Sequence, residues 1–533
     1  MVQKPAGGAG DGGGGLGALL QGLCRDTPLK EVWWVTSLWT FFQELFRLCT
    51  PITILNILWA ATFGMVVGML PGLTATMGVA LLTGLTFRFM PDQAMLILIA
   101  TYVGAITGGS RSAILLNIPG TPANAASCLD GYPLARQGKA GYAIGLAATA
   151  SAIGTFFGLL CLATISPLLG KIALKFTSWE FFVLAIFGVV ICANLTAPKD
   201  PLKGWVAGLF GLLLSQVGQD PIQAFPRFTL GSLQLMGGFS LIPIMVGAYG
   251  VGEIVSVMRS PINYTVKTHI QRIIPALSDL LRNWKHILRS GIIGVFVGII
   301  PGVGEDTAAW VSYDFAKRAA KKPELFGKGS IEGLIAAETG DNACIGGAII
   351  PVLTLAVPGS APAAVLLAAM WLHGIRPGPL LPIEQPTFIA TTTAVFFLAT
   401  LAVTLLSLMF VRPMVKVLEV PRSILMPIVF VLCGVGSFAI NGRIFDMYLM
   451  FLFGLLGYYM RENNYPAAPL VLGFILGPMA DDNFRRAMII SGGDPTPFFT
   501  RPICLILWLA TILAFLSRSG LGNLFRRRLG SHA

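Results

Sequence analysis

Charge is scarce in this sequence. Only 12% of its 533 residues are Asp, Glu, Lys or Arg, against about 25% in a soluble domain. A water-soluble fold of this length needs more polar surface than that, which excludes a soluble globular protein. Histidine is scarcer still. His269, His286, His373 and His532 are scattered and make no metal-ligand spacing. The eight cysteines include no C-x-x-C pair, and most, such as Cys161, Cys192 and Cys433, lie in or beside apolar segments. There they read as small packing residues. The sequence has no H-E-x-x-H, no Ser/His/Asp set and no G-x-x-x-x-G-K-[ST] phosphate loop. An intramembrane enzyme would have to rely on Glu305, Glu338 and Asp341, which fit no catalytic spacing.

Apolar residues, in contrast, make up 55% of the chain and come in long runs. Residues 142–165, 178–195, 386–411, 423–440 and 444–460 are nearly free of charge. Each approaches the roughly 20 residues a helix needs to cross a bilayer. Window reading predicts an all-α integral membrane protein with about 11–14 hydrophobic helices, some of them broken or re-entrant. The runs do not alternate as barrel strands do. The net charge of +12 is gathered beside apolar runs: Arg259 to Arg289, Lys317 to Lys328, Arg412 to Arg422 and Arg526 to Arg528. That is the pattern of cytoplasmic loops and not of a nucleic-acid site.

The chain divides accordingly. Residues 1–30 read as a disordered Gly-rich tail without the apolar core of a secretory signal. Residues 31–49, with Trp33, Trp34, Trp39 and Phe41 beside Glu44 and Arg47, suit an interfacial amphipathic helix or a first membrane helix. An internal repeat then emerges. Gly64, Gly68, Pro71 and Gly72 match Gly294, Gly298, Pro301 and Gly302 at a constant offset of 230 (294 − 64). Gly108-Gly109 before Ile118-Pro119-Gly120-Thr121-Pro122 matches Gly346-Gly347 before Val357-Pro358-Gly359-Ser360-Ala361-Pro362, at an offset of 238 to 239. Two related units are expected, residues 50–175 and 282–400, of inverted topology. Residues 176–281 carry further helices and a basic cytoplasmic loop, 401–518 the C-terminal helices, and 519–533 a basic tail.

The repeated landmarks carry chemistry. Pro breaks a helix and Gly admits backbone shapes closed to other residues. Broken backbone within a membrane is tolerated where it is buried in protein or lines a wet cavity. Half-helix N-termini attract anions, and unwound carbonyls can hold sodium. The substrate-binding set expected on this ground is Pro71, Gly72, Thr74, Asn117, Pro119, Gly120, Thr121, Pro122, Pro301, Gly302, Asn342, Pro358, Gly359 and Ser360. Thr76 and Asn124 add uncharged polar groups nearby. Gly304, Glu338 and Asp341 are the expected ion-binding residues. Single glycines of this kind more often only kink helices or allow close packing. Four breaks paired across two units favour a site. Arg289 before residues 290–312 and Lys317 to Lys322 after them suggest a hairpin turning at Pro301-Gly302, with a single crossing as the alternative. Arg111, within G-G-S-R-S-A-I-L-L, could pair with a substrate carboxylate, pair with Glu338, or lie near an interface. Asp130, Arg136 and Lys139 read as a solvated loop.

The stretches G-M-L-P-G-L-T, Y-V-G-A-I-T-G-G-S-R-S-A-I-L-L-N-I-P-G-T-P-A-N-A-A-S-C-L-D-G-Y-P-L-A-R-Q-G-K-A-G and I-P-G-V-G-E-D-T-A-A-W-V-S-Y-D-F-A-K-R resemble the large membrane subunit of tripartite tricarboxylate transporters, the TctA type. So does A-E-T-G-D-N-A-C-I-G-G-A-I-I-P-V-L-T-L-A-V-P-G-S-A-P, and the resemblance runs from about residue 50 to 500. It implies a multi-pass protein of the bacterial inner membrane, working without ATP or any cofactor beyond a coupling ion, sodium or a proton. It implies a small membrane subunit, a periplasmic substrate-binding protein, and uptake of citrate-like tricarboxylates or other organic carboxylates by an elevator-like carrier. A homodimer is compatible with it, and a channel remains the alternative. Four places depart from the family pattern: Thr107 for a Tyr, Thr83-Gly84 for Leu-Pro, Glu305 for a small residue, and Asp341 for an Asn beside Asn342.

Overall fold

The computed structural model describes residues 33–197, 200–259, 277–411, 413, 416, 418, 420 and 422–518. The Gly-rich stretch 1–30, the basic tail 519–533 and much of the basic loop after Arg259 lie outside the described residues. The regular structure is α-helical apart from one antiparallel pairing of β1 (Gly218–Gln219) with β2 (Pro226–Arg227). In chain order the main helices are α1 (Trp33–Leu48), α2 (Pro51–Met69), α3 (Ala75–Leu85), α4 (Pro91–Gly108), α5 (Ser110–Leu116), α6 (Ala125–Leu134), α7 (Ala140–Ala173), α8 (Ser178–Thr196), α9 (Pro201–Leu214) and α10 (Leu241–Arg259). They continue as α11 (Trp284–Ile299), α12 (Gly304–Ala319), α13 (Ile331–Leu355), α14 (Ala361–Leu372), α15 (Phe388–Met409), α16 (Arg422–Asn441), α17 (Ile444–Glu462), α18 (Ala467–Ile490) and α19 (Pro502–Arg518).

Among the described residues, 7 stretches are long and apolar enough to cross a membrane, by length and composition. Four further apolar helices of 10–17 residues fall short. The 11–14 hydrophobic segments of the sequence reading are therefore of two kinds, because the Pro-Gly breaks cut some of them into half-length pieces. α3 and α14 are such pieces. Of residues 31–49, Trp33–Leu48 form the 16-residue helix α1. Glu44 accepts from Thr391 at 2.8 Å and Phe41 meets Phe397 edge-on, so α1 runs antiparallel along α15. It does not lie across it.

Local chemistry fixes the helix ends. Thr50, Thr74, Ser330 and Ser360 each cap a helix by accepting a backbone N–H three residues on, at 3.1 to 3.3 Å. Such caps satisfy donors the helix itself leaves unpaired. α2 and α4 pack in parallel. A Cβ placed on Gly64 or Gly68 would strike the backbone of Thr101 or Ala105. α11 meets α13 in the same way, through Gly294 and Gly298 against Gly340 and Cys344. In lipid no hydrophobic drive joins helices, so small residues that let backbones touch supply the adhesion. Two helices end up wholly inside: Ala94 to Leu115 and Gly333 to Leu355 are buried without interruption. Around them sit α2, α3, α7, α11, α12, α14 and α15. A second group, α8, α9, α18 and α19 on one side and α10, α16 and α17 on the other, packs against this core as a scaffold.

α11 and α12, 16 residues each, lie against one another with their turn at Pro301-Gly302. The hairpin shape expected around residues 290–312 is thus present. Asp130 departs from its sequence reading. Arg136 and Lys139 are exposed as expected, but Asp130 is fully buried. Its carboxylate accepts from Tyr313 Oη and from the N–H groups of Gly327, Gly329 and Ser330, at 2.7 to 2.9 Å. Those donors lie about 200 residues away and are invisible to local sequence.

Candidate functional site

The first-half breaks open onto a cavity of about 900 Å³. Leu70 leaves the helical region ahead of Pro71, and Gly72 turns the chain at φ 98°, where a side chain would be strained. Thr74 restarts the helix as the cap of α3. Asn117 ends α5 in the left-handed region at φ 57°, a conformation Asn tolerates better than most residues. After it, Pro119, Gly120, Thr121 and Pro122 line the cavity together with Gly72 and Thr74. The opposite wall comes from the scaffold and includes Thr196, Lys203, Tyr249, Glu253, Arg461 and Tyr465. Glu253 and Arg461 form an ion pair on that wall. Lys203 donates to the Asn463 carbonyl at 2.7 Å.

The second-half breaks are closed on themselves. Gly302 N–H donates to the Pro358 carbonyl and Gly304 N–H to the Gly359 carbonyl, both at 3.1 Å. Ala356 ends α13 at φ 56°, and Ser360 caps α14. Cys192 of α8 donates to the Gly302 carbonyl. Pro301, Gly302, Pro358, Gly359 and Ser360 are therefore stitched to one another and to α8, and the cavity is walled by the first pair of breaks. Gly304, expected to bind an ion, spends its amide on this stitch.

Between the two pairs of breaks lies a buried polar network. Asp341 on α13 accepts from Asn124 at 3.3 Å and from Asn342 at 2.8 Å, and Asn124 in turn accepts from Thr121 at 2.7 Å. Reciprocally, Tyr102 on α4 bonds to Ser360 at 2.7 Å and donates to Glu305. Each central helix thus reaches the break of the other half, from positions 239 apart (341 − 102). Glu338 accepts from Ser127 at 2.6 Å and Ser151 at 2.8 Å. Asn342 accepts from Thr107 at 2.9 Å. Glu305, Glu338 and Asp341 are all buried. Among the described residues Arg111 is the one buried basic side chain. It donates to the carbonyls of Thr107 and Ser407 and makes no ion pair with any of the three acids. Of its three sequence readings, the direct pair with Glu338 is not formed in this arrangement. Uncompensated carboxylates in a low-dielectric interior cost several kcal/mol unless they take up a proton or a cation. No group of three metal-ligating side chains occurs among the described residues.

The cavity thus gathers Gly72, Thr74, Pro119, Gly120, Thr121 and Pro122. Pro71 is buried beside it, Asn117 is exposed outside it, and Asn342 belongs to the network. Lys203, Tyr249, Glu253, Arg461 and Tyr465 escaped sequence reasoning. Lys203, Glu253, Arg461 and Tyr465 stand at or near the ends of ordinary apolar runs, where charged and aromatic residues are common, and Tyr249 lies within one. Tyr102 could have been noticed, as the lone phenol in an apolar run.

Residues 54–472 match the model of the "Tripartite tricarboxylate transporter TctA family". The chain is 36% identical over 462 residues to the "Uncharacterized 52.8 kDa protein in TAR-I ttuC' 3'region" of Agrobacterium vitis, covering 86% of this chain and 92% of that one. It is 37% identical over 214 residues to the "Uncharacterized protein in TAR-II ttuC' 3'region" of the same organism, covering 40% of this chain and 88% of that one. No solved structure matches.

Proposed function

Because the chain belongs to the tripartite tricarboxylate transporter TctA family, a family of transporters built with other subunits, we propose that it is the large membrane subunit of a secondary carrier. The cargo is a citrate-like tricarboxylate or another small organic carboxylate. A periplasmic binding protein delivers it, a small membrane subunit completes the assembly, and the site of action is the bacterial inner membrane. The observation that carries this reading is the cavity between the first-half breaks and the scaffold. It presents hydroxyls, helix starts and cationic side chains to one open cleft, which suits an anion.

The two halves are read as inverted repeats. The left-handed caps Asn117 and Ala356 stand 239 apart (356 − 117), like Pro119 and Pro358. A Cβ on Gly120 would fall on the Gly68 carbonyl, and one on Gly359 on the Gly298 carbonyl. The scaffold ends that line the cavity, at Thr196, Glu253 and Arg461, lie on the same side as Arg259, which opens the basic stretch of sequence 259–289. By the positive-inside rule that side is the cytoplasm, so the cavity is the inward-open site. An elevator-like shift of the core against the scaffold would carry it outward. Three buried acids with one unpaired arginine support coupling to a cation, Na+ or H+, held near Glu338 and Asp341.

The test is uptake of labelled citrate by proteoliposomes holding this chain, its small membrane subunit and its binding protein. Accumulation should require an imposed Na+ or pH gradient. Equal accumulation with and without both gradients would remove the carrier reading, and currents far above carrier turnover would replace it with a channel.

A further inference from the structure

We infer that the scaffold wall of this cavity carries a second anion subsite, with Lys203 as its counter-charge, and that the cargo therefore bears at least two carboxylates. The inference rests on the cargo-site reading above and adds to it a residue and a substrate class. Lys203 lies in the first turn of α9 and faces the cavity that Thr74 and Thr121 line from the core side. One of its N–H groups is taken by the Asn463 carbonyl, and its ammonium sits 5.2 Å from the centroid of the Tyr465 ring. An ammonium has three donors, so two remain. Among the described residues no carboxylate lies within ion-pair distance of it. That includes Asp200, which lines the cavity at the start of the same helix.

The neighbouring cation is in a different state. Arg461 already has Glu253. The wall therefore holds one neutralised cation and one that is not. In a cleft an unneutralised charge acts on an anion more strongly than on a flat surface. The core wall offers only neutral donors: the Thr74 hydroxyl and the N–H groups at the start of α3, the Thr121 proton being given to Asn124. A monocarboxylate can engage one wall or the other. A di- or tricarboxylate can place one carboxylate on the core wall and another on Lys203. Because the two walls belong to different helix groups, that bridging holds only while core and scaffold are in this arrangement.

The test is equilibrium binding of citrate, succinate and butyrate to the purified full-length chain in detergent, by calorimetry, at several ionic strengths. Loss of one charge-assisted hydrogen bond corresponds to about tenfold in affinity or more. Lys203→Gln should weaken citrate by at least that factor, leave butyrate within about twofold, and flatten the salt dependence of citrate binding. Lys203→Arg should restore citrate. Citrate bound by Lys203→Gln as by the wild type would overturn the inference. So would a wild type that binds butyrate as tightly as citrate with the same salt dependence, a result that needs no variant to fold. Thr74→Val on the core wall separates the two claims. If it weakens citrate while Lys203→Gln does not, the cargo site stands and the second subsite falls. If neither variant weakens citrate, or if the wild type binds none of the three probes, the cargo-site reading falls as well.

Discussion

Asp130 is the main tie of the loop before α13, with Gln137 adding a bond to the Lys328 carbonyl. Removing its carboxylate orphans three backbone N–H groups and the Tyr313 hydroxyl in a buried place, and each unsatisfied donor costs about 1–3 kcal/mol. Asp130→Ala should lower the thermal midpoint of the purified chain markedly, with Asp130→Asn intermediate; an unchanged midpoint would show that the loop is held otherwise. At the opposite end of the molecule, Asp220 joins β1 to α18. Its hydrogen bond to Arg485 at 2.6 Å, with the N–H groups of Ile222 and Gln223 and the charge of Arg227, holds its carboxyl down to about 2, from an ordinary 3.8. A carboxylate depressed on folding stabilises fully above its unfolded value and loses that stabilisation as pH falls toward its folded value. The contribution of Asp220 is therefore present above about pH 4 and lost between about pH 4 and pH 2. The thermal midpoint of Asp220→Asn should fall less steeply across that window than that of the wild type. Parallel curves would contradict the assignment.

Among the helices, the decisive contacts are those where backbone meets backbone. Gly120 and Gly359 each close a break onto a glycine carbonyl of the preceding hairpin. Leu at either place must push the break away from its hairpin. We expect Gly120→Leu and Gly359→Leu each to reduce labelled-citrate uptake to background while membrane insertion and expression persist. Normal uptake by both would mean that the breaks take no part in transport. The two pairs of breaks look alike in sequence and differ in use, because the second is closed by its own amide-to-carbonyl bonds and the first is left facing the scaffold. The motif P-G specifies an interrupted helix. What the freed groups meet is set by which other elements pack against the break.

Taken as a whole, the molecule is a buried core leaning on a scaffold, with the cavity at their boundary. In the orientation proposed from the basic stretches, Pro122→Cys, at an exposed position of the cavity wall, should react with a membrane-impermeant maleimide from the cytoplasmic side, in inside-out vesicles, and remain unmodified from the other side. The reverse labelling would invert the orientation or the state. Citrate, if it occupies the cavity, should slow that labelling.

By itself the sequence determined the membrane character, the places where helices break, and the family. Hydropathy, proline and glycine act locally, and the motifs around Pro71, Pro119, Pro301 and Pro358 are contiguous in the chain. Only the tertiary structure decided which breaks face open space, that Asp130 is a buried pin and not a loop residue, and that Lys203, Tyr249 and Arg461 form the far wall. Those outcomes depend on which helices meet, and a side chain at the end of an apolar run carries no record of the partner across the cavity.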